Sequence, residues 1–429
     1  MILWVVEGAL RFWVFPSLYG PLALVRDPVV IVIYALALQN RSLPMNGFVS
    51  ALLALAMLSI PASILVGHGD LAVTAYGVRS NFLHLPLMFV IGHVFRAQEL
   101  QKLAGWVMLL SVPMAVLAAD QFRSPAGALI NKGGMETHYG TVRPAGTFAF
   151  VLALVYFQTL VAAFTAHRLI KYPRAWGVVA IASAFSLFVM VSVSGSRTAV
   201  VAVAVIVVLA LALAIRAARQ LVPMLIGLAL VAALVGGFGS SELLEAGTEQ
   251  LAKRFSDAGS SGSVVSQAVD RVLGGTLGVT GNVLNYDWLG QGVGLGTNFG
   301  GQTFTGKRGA FLVGEGEWSR VMGELGILLG LPFLMVRTGL VFYLASRAWT
   351  AHIRYRDPLP FLLFGAACIP MLMGQWGVPA LQGFAPISAG LCLAASKAAR
   401  LAHTKQRNAR ITSLDSSNAL ALPAPSHAS

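Results

Sequence analysis

Residues 176–215 read WGVVAIASAFSLFVMVSVSGSRTAVVAVAVIVVLALALAI. Two apolar runs, 176–193 and 198–215, are joined by Ser194-Gly195-Ser196-Arg197. A helix crosses roughly 30 Å of hydrocarbon with about 20 apolar residues, and it satisfies its own backbone hydrogen bonds where no water can. The pair reads as two membrane helices joined by a tight turn.

Outward from this pair the pattern recurs. Apolar runs lie at 2–19, 27–39, 48–66, 81–95, 104–119 and 146–166, then at 221–238, 324–345, 358–375 and 378–396. With 56% hydrophobic and only 11% charged residues, the chain could not hide its apolar surface in a water-soluble fold. The expected fold is an all-α polytopic membrane protein with about twelve spans. Nine helices would occupy 1–238, a large loop 239–323, three further helices 324–397, and a disordered tail 398–429. The start, Met1-Ile2-Leu3-Trp4, lacks a basic cluster and contains Glu7 and Arg11, so a first span is expected there and not a cleaved signal peptide.

The net charge of +13 does not point to nucleic acid, because the basic residues fall in short clusters between apolar runs. Their spacing reads as topology, since Lys and Arg are retained on the cytoplasmic side. Arg41, Arg96, Lys102, Arg168, Lys171, Arg174, Arg216, Arg219, Arg347, Arg354, Arg356 and the cluster from Lys397 to Arg410 mark alternate connections as inside. Segments 67–80, 120–145, 194–197, 239–323 and 375–377 fall outside, and both termini are cytoplasmic. No internal repeat marks the halves of a transporter. Cys368 and Cys392 sit inside apolar runs as small hydrophobes, so neither a disulfide nor a metal site is expected.

Arg197 is the most informative polar residue. It either snorkels to the headgroups or, with the free backbone donors of the helix it opens, forms an anion site. Ser196-Arg197-Thr198-Ala199 resembles the Ser-Arg-x-Ala signature of the bacterial O-antigen ligase and polymerase family. Further motifs of that family appear in order. Arg143-Pro144-Ala145-Gly146-Thr147-Phe148 is similar to an Arg-x-x-Gly-Thr-Phe element. Residues 290–297, from Gly290 to Thr297, resemble a glycine-rich stretch late in the family's periplasmic loop. Glu315-Gly316-Glu317-Trp318-Ser319-Arg320, leading to Gly323-Glu324-Leu325-Gly326, resembles the segment that closes that loop.

The resemblance implies a C-type glycosyltransferase fold in the bacterial inner membrane. It implies a metal-independent inverting transfer of a glycan from undecaprenyl pyrophosphate at the periplasmic face, with no cofactor. Arginines would hold the pyrophosphate: Arg197, with Arg271 or Arg254 in the loop and Arg143 and Arg320 as further candidates. Family ligases carry a His-Asn pair where the loop re-enters the membrane. No histidine occurs between 239 and 323, and Glu315 stands at that place. Glu315 or Glu317 is therefore the candidate base, against a structural ion pair with Arg320. This departure favours a polymerase of O-antigen or exopolysaccharide repeats, with membrane lipids and a chain-length regulator as partners. A ligase is the alternative within the fold. A lipid or polysaccharide transporter is the alternative outside it, and would place ionisable residues deep in several spans. The sequence instead suggests charges at span ends, leaving Glu7 and Arg11 unexplained. His68 and His138 lie in outer connections and read as substrate contacts or solvated loop histidines, while Tyr139, Trp288, Phe299 and Trp318 read as sugar-stacking faces or interfacial anchors.

Overall fold

The computed structural model describes residues 2–137, 140–172, 177–215, 242–259, 279, 281, 283–307, 312–314 and 316–420. The described residues are mostly helical. The main helices are α1 (Ile2–Ala9), α2 (Arg26–Gln39), α3 (Gly47–Leu65), α4 (Leu71–Val78), α5 (Leu87–Val94), α6 (Ala97–Arg123), α7 (Val151–Lys171), α8 (Gly177–Val193) and α9 (Arg197–Ile215). They continue with α10 (Glu242–Gly259), α11 (Asn298–Thr305), α12 (Glu317–Tyr355), α13 (Leu359–Met373) and α14 (Phe384–Leu420). Strands β1 (Met135–Glu136) and β2 (Val142–Arg143) form a small antiparallel hairpin, with Met135 opposite Arg143.

Five described helices are long and apolar enough to cross a membrane: Pro16–Gln39, Gly47–Leu65, Ala97–Arg123, Val151–Lys171 and Glu317–Tyr355. The apolar helices Gly177–Val193, Arg197–Leu213 and Leu359–Met373 are shorter. Helix α7 is the centre of the bundle, with 83% of its apolar window buried against 28% for α3. It packs against α8, α9 and α13, while α14 packs along α5 and α13. The periphery exposes apolar side chains, among them Met57, Trp106, Met335 and Phe342, as a lipid-facing surface requires.

Several expected elements differ. The run 2–19 is not one helix: α1 gives way to a π-turn at Leu10–Val14, and a new helical segment opens at Pro16 after Phe15 leaves helical geometry. The run 81–95 is likewise broken, by a π-turn at Arg79–Leu83 and then Pro86, before α5. The expected span 221–238 lies outside the described residues. The tail expected to be disordered is helical as far as Leu420, as a continuation of α14 whose residues from Leu401 to Thr412 are exposed. Long runs of Ala, Leu, Lys and Arg favour helix even without burial, and a reading of the tail by composition alone overlooks this.

The largest difference concerns the end of the big loop, expected at residue 323. Helix α12 begins at Glu317, and at Gly326 the backbone adopts φ 69°, ψ −171°, a region open essentially to glycine alone. The chain reverses there. Glu317 and Arg337 stand 20 residues apart, yet their side chains share a hydrogen bond of 2.6 Å. In a straight helix they would be about 30 Å apart. Residues 317–325 and the start of 327–355 therefore form a tight helical hairpin. Segment 287–292 seals its tip: Ile327 and Leu328 amides donate to Asp287 and Trp288 carbonyls at 3.0 Å each, while Gln291 and Gly292 amides donate to Gly323 and Glu324 carbonyls at 2.9 and 3.0 Å.

Candidate functional site

The turn Ser194–Arg197 is built by its own small residues. Gly195 takes φ 52°, and Ser194 Oγ accepts from the Ser196 amide at 3.2 Å. Ser196 caps α9 by accepting from the Ala199 amide at 3.4 Å, so Arg197 occupies the first helical position. Arg197 as a residue is half-buried.

Two other elements meet this turn. Helix α10 lies over the end of α8, where Gly247 is close enough that a Cβ would stand 3.0 Å from the Ser192 carbonyl oxygen. Buried Gln250 reaches the face of Gly195 and donates to Thr137 Oγ1 at 3.5 Å. From the other side comes the hairpin, with Arg143 Cγ only 3.7 Å from where a Gly195 Cβ would stand. Arg143, the Arg197 turn and the helix carrying Arg254 are thus brought together. The Arg254 side chain, Arg271, Glu315, His138 and Tyr139 lie outside the described residues.

The rest of the Arg-x-x-Gly-Thr-Phe element is structural. Gln121 clamps Gly146 from both sides, accepting from its amide at 2.7 Å and donating to its carbonyl at 2.9 Å. Thr147 hydroxyl donates to the Val5 carbonyl, tying the element to α1. Phe148 packs against Phe157 and Phe384 with centroids 5.8 and 5.6 Å away. Beside the hairpin opens a polar cleft of about 510 Å³, lined by Arg11, Phe12, Tyr19, Lys132, Gly133 and Phe150 among others. Sequence pattern does not reveal its two cations and its aromatic walls, because the interruption that places the buried Arg11 beside the cleft falls inside one apolar run.

Glu317 and Arg320 form a different arrangement. Arg320 donates to Glu317 at 3.0 and 2.9 Å, to Glu324 at 2.7 Å and to Asn81 at 2.8 Å. Arg337 completes the set through Glu317, the Met371 carbonyl at 3.0 Å and the Trp376 ring at 3.8 Å. Glu324 also accepts from Asn81 and from the Gly296 amide, at 3.3 and 2.8 Å. All four charged side chains are buried and balance two against two. The Glu317 carboxylate is buried and takes three donors from two guanidiniums, and all three Arg320 guanidinium nitrogens donate to protein acceptors. Geometry thus favours the ion pair over a base at Glu317 and a pyrophosphate ligand at Arg320.

Asn81, Glu324 and Arg337 are not among the site residues expected from the sequence. A lone arginine amid LLGLPFLMVRTGLVFYL is the available signal for Arg337, because an unpaired charge there would be expensive. The expectation that charges stay at span ends fails here. It fails again at the N-terminus, where Glu7 meets Arg11 at 3.0 Å and Arg26 at 2.8 Å, which accounts for both Glu7 and Arg11. Asp27 pairs with Arg79 nearby and lies 3.3 Å from His84 Nε2.

The glycine-rich stretch threads between this hairpin and α4. Gly290, Gly292 and Gly294 take φ of 69°, 105° and 104°, and at Gly296 a Cβ would meet Arg320 Cδ at 2.8 Å. Its Gln291, Gly292, Val293 and Gly296 amides all donate to protein acceptors, Val293 to Ser63 Oγ at 2.9 Å. His68 is not merely solvated. Its Nδ1 accepts from the Asp70 amide at 3.0 Å and its Nε2 faces the Val293 carbonyl at 3.2 Å. Phe299 stacks on Tyr76 at 5.0 Å, and Trp318 donates to the Leu372 carbonyl at 3.0 Å, whereas Trp288, 67% exposed, is the most open of these three rings. Among the described residues no group of three His, Cys, Asp or Glu side chains could hold a metal ion.

Compared with known proteins, the chain matches no family model and no curated protein.

Proposed function

We propose that the chain is a membrane glycosyltransferase that polymerises undecaprenyl-pyrophosphate-linked oligosaccharide repeats at the periplasmic face of the bacterial inner membrane. The observation that carries this reading is the meeting of Arg143, the Ser194–Arg197 turn and helix α10 at one end of an apolar bundle. In this reading the bundle has about twelve spans with both termini inside. The order of family-like motifs along the chain supports it too.

The reaction needs little from the protein beyond placement and charge. An acceptor hydroxyl oxygen attacks the anomeric carbon on the face opposite the phosphate. The bond from that carbon to the phosphate oxygen breaks, its electron pair leaves with the pyrophosphate, and the hydroxyl proton passes to a carboxylate. Arg197 and Arg143 would hold the leaving group, with Arg254 and Arg271 as loop cations, because fixed cations in a dehydrated site stabilise developing negative charge more than water does. Glu315 would take the proton, since Glu317 is committed to its ion pairs. The cleft beside the hairpin would hold sugar against Phe12, Tyr19 and Phe150.

The test is Arg197→Ala in cells that make long-chain polysaccharide. Loss of one such donor costs about 10²–10³ in rate, so the ladder of long chains should vanish while the protein inserts normally. Full-length chains would reject the role. A product fixed to one acceptor instead of a ladder would make the enzyme a ligase.

One observation favours a second reading. Buried ionisable groups at Glu7, Arg26, Glu317 and Arg337 are what a transporter of lipid-linked glycans would be expected to carry. Purified protein that scrambles lipid-linked sugar between leaflets without forming glycosidic bonds would select it.

A further inference from the structure

At the opposite end of the bundle from the Arg197 turn lies a second, smaller pocket of about 210 Å³. Asn46, which begins α3, lines it, while the other end of α3 runs to His68 and the glycine-rich stretch. The helix between them is 19 residues long, about 29 Å. The remaining lining comes mainly from the ends of α5 and α12 and the middle of α14, including His93, Tyr343, Arg347, Tyr355, Lys397 and Arg400.

The chemistry of this lining is one-sided. Three cations face the pocket and no carboxylate lines it. Among the described residues neither Arg347 nor Arg400 pairs with a carboxylate; the nearby Asp357 is engaged by Lys171 at 2.9 Å and lies 3.8 Å from His167. Arg347 rests on the Tyr343 ring at 5.2 Å, and Lys397 donates to the His93 carbonyl, so both are held in place. Like charges gathered without a counter-charge repel one another, and an anion seated among them relieves that cost. The volume lies below the 300–1,000 Å³ of ordinary ligand clefts, which suits a compact headgroup and not an oligosaccharide.

The surroundings decide which anion. On α12 the exposed side chains Phe342, Trp349 and Ile353 succeed one another along the face beside the pocket. Met45 and Val94 are exposed next to Asn46 and His93. A cationic pocket rimmed by lipid-facing apolar groups accepts a phosphate with hydrocarbon attached better than a free one.

We propose that this pocket binds the phosphodiester of an anionic phospholipid of the cytoplasmic leaflet, with Arg347, Lys397 and Arg400 as its cationic contacts. The assignment rests on the membrane orientation of the proposed glycosyltransferase but not on any catalytic step. Each cation near an anionic lipid surface is worth about a fivefold gain in affinity.

The experiment uses the full chain purified in detergent. It is titrated with dioleoylphosphatidylglycerol, with dioleoylphosphatidylcholine and with inorganic phosphate, and bound lipid is read by native mass spectrometry. The triple variant Arg347→Gln/Lys397→Gln/Arg400→Gln is compared with Lys405→Gln/Arg407→Gln/Arg410→Gln, which removes the same charge farther along α14. Phosphatidylglycerol should bind the native chain and the second triple within twofold of each other, and the pocket triple at least tenfold more weakly. Equal affinity of the two triples overturns the site. Binding of inorganic phosphate as tight as that of phosphatidylglycerol overturns the lipid assignment. If the pocket triple does not fold, Arg347→Gln and Arg400→Gln are measured singly, and a loss below twofold in both overturns it. Polysaccharide synthesis is not part of this readout, so failure here leaves the glycosyltransferase reading untouched.

Discussion

Arg337 Nη1 and Glu317 Oε1 lie 2.6 Å apart because Gly326 folds α12 back on itself. Removing Arg337 would leave Glu317 buried with one guanidinium instead of two, and breaking a buried pair on one side costs about 3–5 kcal/mol. Arg337→Ala should lower the thermal midpoint in detergent strongly. The double variant Glu317→Gln/Arg337→Met should lose less than the sum of the singles, and additive losses in the four-member cycle would show that the pair is uncoupled.

Gly326→Ala should fail more severely than its chemistry suggests. The added Cβ would collide with the Gly290 amide and stand 2.6 Å from the Asp287 carbonyl oxygen, at a φ unsuited to an L residue. Gly306→Ala is the control. It has the same φ of 69° but open space around it, so it should cost only about 1–2 kcal/mol. Comparable expression and melting of the two variants would show that the reversal at Gly326 does not organise the hairpin.

Ser196→Ala should destabilise by about 1 kcal/mol through loss of the α9 cap. Arg197→Lys keeps the cap and the charge but loses the forked donor. A glycan ladder that shortens in Arg197→Lys and persists in Ser196→Ala would separate charge placement from helix stability.

Gln250→Ala should loosen α10 from the turn without touching the buried ion network. Trypsin cleavage at Lys253, whose side chain is 57% exposed, should accelerate while the global melting temperature changes little. An unchanged cleavage rate would mean that Gln250 does not hold this helix down. The Glu249 carboxyl, held below its usual range by the hydrogen bond and charge of Lys253, should titrate as an exposed group whose pairing weakens in salt.

Apolar run length makes the helical class legible, and small-residue spacing makes the Ser194–Arg197 turn legible, since both are local properties. Arg143 and Arg197 can be nominated from their motifs, but their proximity depends on Gln121 clamping Gly146 and on Gln250 spanning the turn, long-range contacts with no sequence period. Glu317 is hidden for a similar reason. Read locally it is a loop carboxylate near Arg320; only the reversal at Gly326 reveals Arg337 as its second partner. Arg11 and Lys132 share a cleft because the first apolar run breaks at Phe15 and Pro16, and hydropathy alone does not register that break.

The hairpin cluster has one more property. Two guanidiniums and two carboxylates sum to no net charge, so a transmembrane voltage, worth about 2.3 kcal/mol per charge per 100 mV, pulls its members in opposite directions and exerts no net force on the group. The hairpin should keep its position whether the cell membrane is energised or depolarised.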